Sequence, residues 1–193
     1  MIDDITNARL HRLNSREFKK GSYILYWMQQ SQRASNNHAL FLSIDIANSL
    51  NLPVIVFFGI TESYPESNLR HFTFMLDGLK ETKSDLYKIG IKLIIWIIDP
   101  VEGVINLSKN AAAIITDFSY LKHPKLWRNK AASAVDCSFI AVESDVIIPV
   151  EISSQKEEYS AATLRPKIIS LMKFYLKLPK EIKPVNPSIE TKP

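Results

Sequence analysis

Between Ser22 and Leu40 the chain reads SYILYWMQQSQRASNNHAL, and this stretch limits the possible folds more than any other. A run of aromatic and long apolar residues, Tyr23 to Met28, breaks into a polar loop, Gln29 to Asn37, and an apolar helical pattern follows. A buried strand, a polar turn and a helix form the first half of a βαβ unit. The turn lies at the strand's carboxyl end, where open α/β sheets bind ligands. It lacks the glycines of GxGxxG and of GxxxxGK, so neither dinucleotide nor P-loop chemistry is supported. A ligand here would be met mainly by side chains such as Gln29, Gln32, Arg33 and Asn36.

The remainder repeats the same alternation. Asp3 to Phe18 reads as a short helix with Ile5, Ala8, Leu10 and Leu13 on a weak apolar stripe, giving an N-terminal helical segment over 1–21. Helical spacing recurs over Asn37–Leu50, Glu66–Tyr87, Val101–Lys109 and after Pro124. The runs VIVFFG, IKLIIWII, Ala113–Thr116 and Ser138–Val142 are continuously apolar, as strands covered on both faces are. The expected fold is α/β: a Rossmann-like parallel sheet of five strands, ordered 3-2-1-4-5, with helices on both faces over 22–152. That order sets Asp117 and Ser119 beside Met28, Gln29 and Gln30 at the switch point. Residues 153–178 read as a connecting segment with a helix, Pro166 suiting its first turn. Residues 179–193, with four prolines, read as a linker or disordered tail.

Composition excludes several classes. At 193 residues, 46% of them hydrophobic, the chain has room for one ordinary core. Its single cysteine, Cys137, allows no intrachain disulfide and fits a reducing compartment. No window approaches the roughly 18 apolar residues of a spanning helix, and the polar start does not read as a signal peptide. The expectation is a cytoplasmic protein with no membrane contact. The net charge of +4 and a pI of about 9.1 are compatible with a nucleic-acid partner. The late lysines, however, fit a solvated helix face and a tail better than a DNA-contacting patch. His11, His38, His71 and His123 show no metal-ligand spacing, with one another or with Cys137. No GxSxG elbow is present. Asp117 at a strand end is suited to general-base work, to a ligand's polar edge, or to capping the following segment.

Four stretches carry a family resemblance. Tyr26–Leu40 (YWMQQSQRASNNHAL) resembles the YWMxRDQRxxDNWAL signature of class II DNA photolyases, and Arg70–Leu79 (RHFTFMLDGL) their RHYxFMLxGL helix. Ile115–Trp127 (ITDFSYLKHPKLW) is similar to VTDFSPLRxxxxW, and Ser153–Ile168 (SSQKEEYSAATLRPKI) to ASxKxEYAARTxRPKI. The resemblance implies a light-driven DNA repair lyase. Its N-terminal α/β domain can hold a light-gathering antenna pigment, and its larger helical domain binds FAD and the flipped-out pyrimidine dimer. Only the first domain is matched. The resemblance therefore implies a chain with no catalytic residues of its own, a helical FAD-binding partner domain, and contact with damaged DNA only through that partner.

For this domain the resemblance implies an apolar slot for a deazaflavin, which Trp27, Met28, Gln29, Phe57 and Asp117 could line. Tyr159 and Arg165, in the kept EYxAxTxRPK run, are the implied interdomain contacts. The chain departs from the pattern at Gln30-Ser31-Gln32-Arg33 for RDQR and at Asn36-Asn37-His38 for DNW. In Val142–Glu151 it keeps the proline of VDAHNxVPCW but not the His-Asn pair or the tryptophan. Two competing readings are a stand-alone Rossmann-like module binding a nucleotide or other small ligand, and a decayed product binding nothing.

Overall fold

The computed structural model describes residues 7–193. Six strands form one sheet: β1 (Leu10–Arg12), β2 (Tyr23–Trp27), β3 (Val54–Ile60), β4 (Lys92–Ile97), β5 (Ala111–Asp117) and β6 (Ser138–Val142). The spatial order is β1-β6-β5-β2-β3-β4. The five strands from β2 onward pair in parallel, in the order expected from the βαβ pattern. A sixth strand was not expected: β1 pairs antiparallel with β6, Leu10 opposite Val142 and Arg12 opposite Ile140. Of the N-terminal helix expected over Asp3–Phe18, residues 3–6 lie outside the described residues. Leu10–Arg12 is a strand instead, and 13–21 carry no helix.

Lying wholly within the described residues are the helices α1 (His38–Ser49), α2 (Leu69–Lys88), α3 (Pro100–Ser108), α4 (Lys122–Ala134), α5 (Val150–Ser153) and α6 (Ala161–Tyr175). Because side chains alternate along a strand, β2 feeds two cores. Ile24, Tyr26 and Met28 join Leu40 and Ile44 of α1 and Leu79 and Leu86 of α2 on one face. Tyr23, Leu25 and Trp27 join Val101 and Val104 of α3 and Ala131 of α4 on the other. Both faces are therefore dry, which is why the sequence of β2 shows no polar alternation. Each large side chain so buried contributes about 1.5–3 kcal/mol.

Helix ends follow local chemistry. Asn37 caps α1, its Oδ1 accepting from Leu40 N at 3.0 Å. Asn68 and His71 cap α2 reciprocally. α2 stops at Gly90, whose φ of +81° is the left-handed conformation glycine takes without steric cost. Pro166 stands inside α6 rather than in its first turn, because the helix starts upstream at Ala161.

The last residues are not a detached tail. Ser188 is buried, its N–H donates to Gly90 O at 2.8 Å, and its Oγ accepts from Lys92 N at 2.8 Å. Asn48 binds the same segment twice, donating to Lys183 O at 2.9 Å and accepting from Val185 N at 2.8 Å. Ile182 packs on the α1–α2 core. Hydrogen bonds with Asn48, Gly90 and Lys92, together with the apolar contact of Ile182, hold this stretch. Among the described residues no helix is long and apolar enough to cross a membrane.

Candidate functional site

β2 and β5 are neighbours in the sheet, and their carboxyl ends carry the 29–37 turn and the segment after Asp117. One residue organises this junction. Asp117, buried at the end of β5, accepts from the Tyr26 hydroxyl at 2.8 Å on one carboxylate oxygen. Its other oxygen accepts from three successive backbone N–H groups, Gln29 at 2.8 Å, Gln30 at 2.9 Å and Ser31 at 3.0 Å. Burial pushes the carboxyl above its ordinary value, against the pull of these hydrogen bonds. The Tyr26 hydroxyl is raised too, by burial first and then by the Asp117 charge. Asn37 completes the knot, its Nδ2 reaching Tyr26 Oη at 3.0 Å and Ser31 O at 2.9 Å.

Beside this knot opens a cleft of about 570 Å³, the size range of a cofactor-sized ligand. Its walls include Trp27 and Met28 from the end of β2, Phe58 and Ile60 from β3, Phe72 and Met75 from α2, and Trp127 from α4. Tyr64 stands edge-on to Trp127 with ring centroids 5.9 Å apart. The polar lining comes chiefly from the turn, as Gln29, Gln30 and Gln32, with Asp145 and His71 besides. Among the described residues no lysine or arginine lines the cleft. The Gln29 amide oxygen and nitrogen and the Gln30 amide oxygen are shielded from water and have no hydrogen-bond partner among the described residues.

Of the residues expected to meet a ligand, Trp27, Met28 and Gln29 come together on this wall. Phe57 and Asp117 do not line it. The Phe57 side chain points to the opposite face of the sheet and packs against Gly103, where a Cβ would collide with the ring. Asp117 lies beneath the turn, its carboxylate engaged by four donors. Of the three roles left open for it, the arrangement matches capping, here of a turn rather than a helix. Ser119 is also buried, its carbonyl taking Arg128 Nη2 at 2.8 Å. Sequence reasoning missed Phe72, Met75, Tyr64 and Trp127 as wall residues. Phe72 and Met75 lie in the RHFTFMLDGL stretch, where helical period marks only packing.

A second polar hub ties the sheet edge to the later chain. Glu143, buried just past β6, accepts from Tyr120 Oη at 2.6 Å and Val150 N at 2.9 Å, and pairs with His11 Nε2 at 2.7 Å. Burial and the Glu143 charge hold the Tyr120 hydroxyl well above its usual range. Tyr159 is 89% exposed and Arg165 lies on an exposed face of α6. No residue of α6 is buried, and Ile169, Phe174, Leu176 and Leu178 stand open to solvent nearby.

Comparison with known proteins agrees with this architecture. The chain is 43% identical over 169 residues to a deoxyribodipyrimidine photo-lyase of Methanothermobacter thermautotrophicus, a match covering 87% of this chain and 38% of that protein. It is 31% identical over 174 residues to the Arabidopsis thaliana enzyme of the same description, covering 83% of this chain and 35% of that one. An archaeal photolyase from Sulfolobus tokodaii superposes with a TM-score of 0.69 at 15% identity, over 85% of this chain and 37% of the other. The chain thus spans under two fifths of the length of these relatives. A family profile described as DNA photolyase matches residues 24–186, and the chain belongs to that family.

Proposed function

We propose that this chain is the N-terminal α/β domain of a class II cyclobutane pyrimidine dimer photolyase. In this reading it holds a deazaflavin- or flavin-type antenna pigment and works with a helical, FAD-bearing partner that carries out repair. The observation that supports it most is the cleft at the switch point. Aromatic and thioether side chains make broad apolar walls, and the polar part is mostly uncharged, with the Gln29–Gln32 carboxamides foremost and Asp145 the one carboxylate among the described residues. That donor set fits a neutral, flat, conjugated ring with hydrogen-bonding edges. Trp27, Met28, Phe72, Met75 and Trp127 would hold the ring, and the Gln29–Gln32 turn would orient it. The pigment, when bound, gathers blue light for transfer to the partner's flavin. The chain's own part is to bind, orient and keep water from the ring. The Sulfolobus protein was described with two FAD molecules, with the implication of a novel light-harvesting cofactor, which is compatible with this assignment.

The class assignment rests on the four resembling stretches, Tyr26–Leu40, Arg70–Leu79, Ile115–Trp127 and Ser153–Ile168. A partner domain is supported by the share of the relatives' length left unmatched and by the open apolar side chains of α6. The test is twofold. The purified chain, incubated with 5-deazariboflavin, is expected to retain it through gel filtration with a visible absorbance band. The chain alone, given reduced FAD and dimer-bearing DNA under blue light, is expected to show no repair. Retention of adenosine nucleotides in place of the pigment would favour the nucleotide-binding reading, and measurable repair would remove the need for a partner.

A further inference from the structure

Gln29 has its backbone fully committed. Its N–H donates to Asp117 at 2.8 Å, and its carbonyl accepts from Gln32 Nε2 at 3.0 Å. Its side chain is the reverse: both amide atoms are buried on the cleft wall with nothing to bond. Native structures rarely leave two such atoms on one residue without a partner in reserve. Gln30 carries a third orphaned atom of the same kind, its amide oxygen.

A primary carboxamide presents one donor and one acceptor side by side in a plane. The matching edge on a ring is a carbonyl next to an N–H, as in a cyclic imide or pyrimidinedione. Two parallel bonds then form at once. Phosphate is a poor occupant of the same wall, since the cleft is lined by no lysine or arginine and does include the carboxylate Asp145. Asp117 pins the backbone of the turn, so bringing the amide to a ligand is a matter of side-chain torsions alone.

We propose that Gln29 selects the ligand of the cleft by pairing its carboxamide with the C=O/N–H edge of an imide ring. This deepens the pigment reading and rests on it. No motif of the sequence marks Gln29 for this role. The assignment comes from its orphaned amide on a largely aromatic wall that, among the described residues, carries no lysine or arginine.

The test titrates the full chain with 5-deazariboflavin and with its N3-methyl derivative, in which the imide N–H is blocked, following absorbance and fluorescence. The unmodified chain is expected to bind the methylated ring about tenfold more weakly, the worth of a lost pair of hydrogen bonds. Gln29→Leu is expected to bind both rings equally, at the weaker level. Its ligand-free melting temperature should be no lower than that of the unmodified chain, because an orphaned amide has been replaced by an apolar group of similar size. Gln29→Glu keeps size and the acceptor for the imide N–H but loses the donor to the ring carbonyl, so it should still favour the unmethylated ring. Equal binding of the two rings by the unmodified chain overturns the proposal, as does discrimination that survives in Gln29→Leu or is lost in Gln29→Glu. Failure of the unmodified chain to bind either ring overturns the pigment reading, and this assignment with it.

Discussion

The Tyr26 hydroxyl donates to the Asp117 carboxylate at 2.8 Å across two neighbouring strands, with both groups out of water. The pair links the end of β2 to the end of β5, and the free oxygen of Asp117 then gathers the first three N–H groups of the turn that follows β2. Asp117→Asn puts an NH₂ group among donors and leaves at least one buried N–H unmet. The expected cost is about 3 kcal/mol, read as a lowered midpoint in urea unfolding. Tyr26→Phe removes two bonds of the set, the one to Asp117 and the one from Asn37, and should cost about 1–3 kcal/mol. Equal stability of Asp117→Asn and the unmodified chain would show that the carboxylate does not hold the turn.

Arg165 stands exposed on α6, a helix that buries none of its residues. Arg165→Ala is expected to leave the melting temperature of the chain unchanged and to weaken its association with a helical photolyase domain about tenfold, measured by calorimetry. Unchanged association would remove Arg165 from the interface.

Glu158 gives α6 a dependence on acidity. Lys167 Nζ reaches its carboxylate at 2.6 Å and Ser154 Oγ at 2.7 Å. These bonds, the Lys167 one foremost, hold the carboxyl down at about 2. A depressed carboxylate stabilises the fold fully above the unfolded value of about 4.3, and that stabilisation is lost as pH falls through the folded value. Amide-exchange protection over Ala161–Tyr175 should therefore decline between about pH 4.5 and 2, and Glu158→Gln should flatten the profile. A profile identical in the two proteins would deny the contact this role.

Cys137 is fully buried beside β6, and burial pushes its thiol up to about 11. At pH 8 only about one molecule in a thousand would carry the reactive thiolate, against roughly a quarter for an ordinary cysteine. Modification by a thiol reagent should be negligible in the folded chain and complete in denaturant. Rapid labelling without denaturant would mean that the α3–α4 side of the sheet opens readily.

The parallel sheet was legible because its strands are continuous apolar runs and its crossovers have one hand. β1 was not. Leu10-His11-Arg12 is short, and Ile5, Ala8, Leu10 and Leu13 fit a helical stripe; pairing with β6 makes it a strand, and no local window contains that pairing. At the site, the strand-end residues Trp27, Met28 and Gln29 could be placed from topology. Phe72, Met75 and Trp127 could not, since they reach the same wall from two helices far apart in sequence. Phe57 shows the limit in the other direction. It sits next to Phe58 in the sequence, yet alternation along β3 turns only Phe58 into the cleft. The chemistry of Asp117 depended on which groups lie within 3 Å, and residue type alone left several open.

Ser188 has a further consequence, for self-association. β4 is the last strand on its side of the sheet, and an uncovered outer strand is a template on which other chains add. By supplying a donor to Gly90 and an acceptor to Lys92, Ser188 occupies the start of that border and denies it to neighbouring molecules. A protein shortened to end before Pro179 would keep its cleft and its core, but would expose a growing edge. Its colloidal behaviour should worsen well before its folding does.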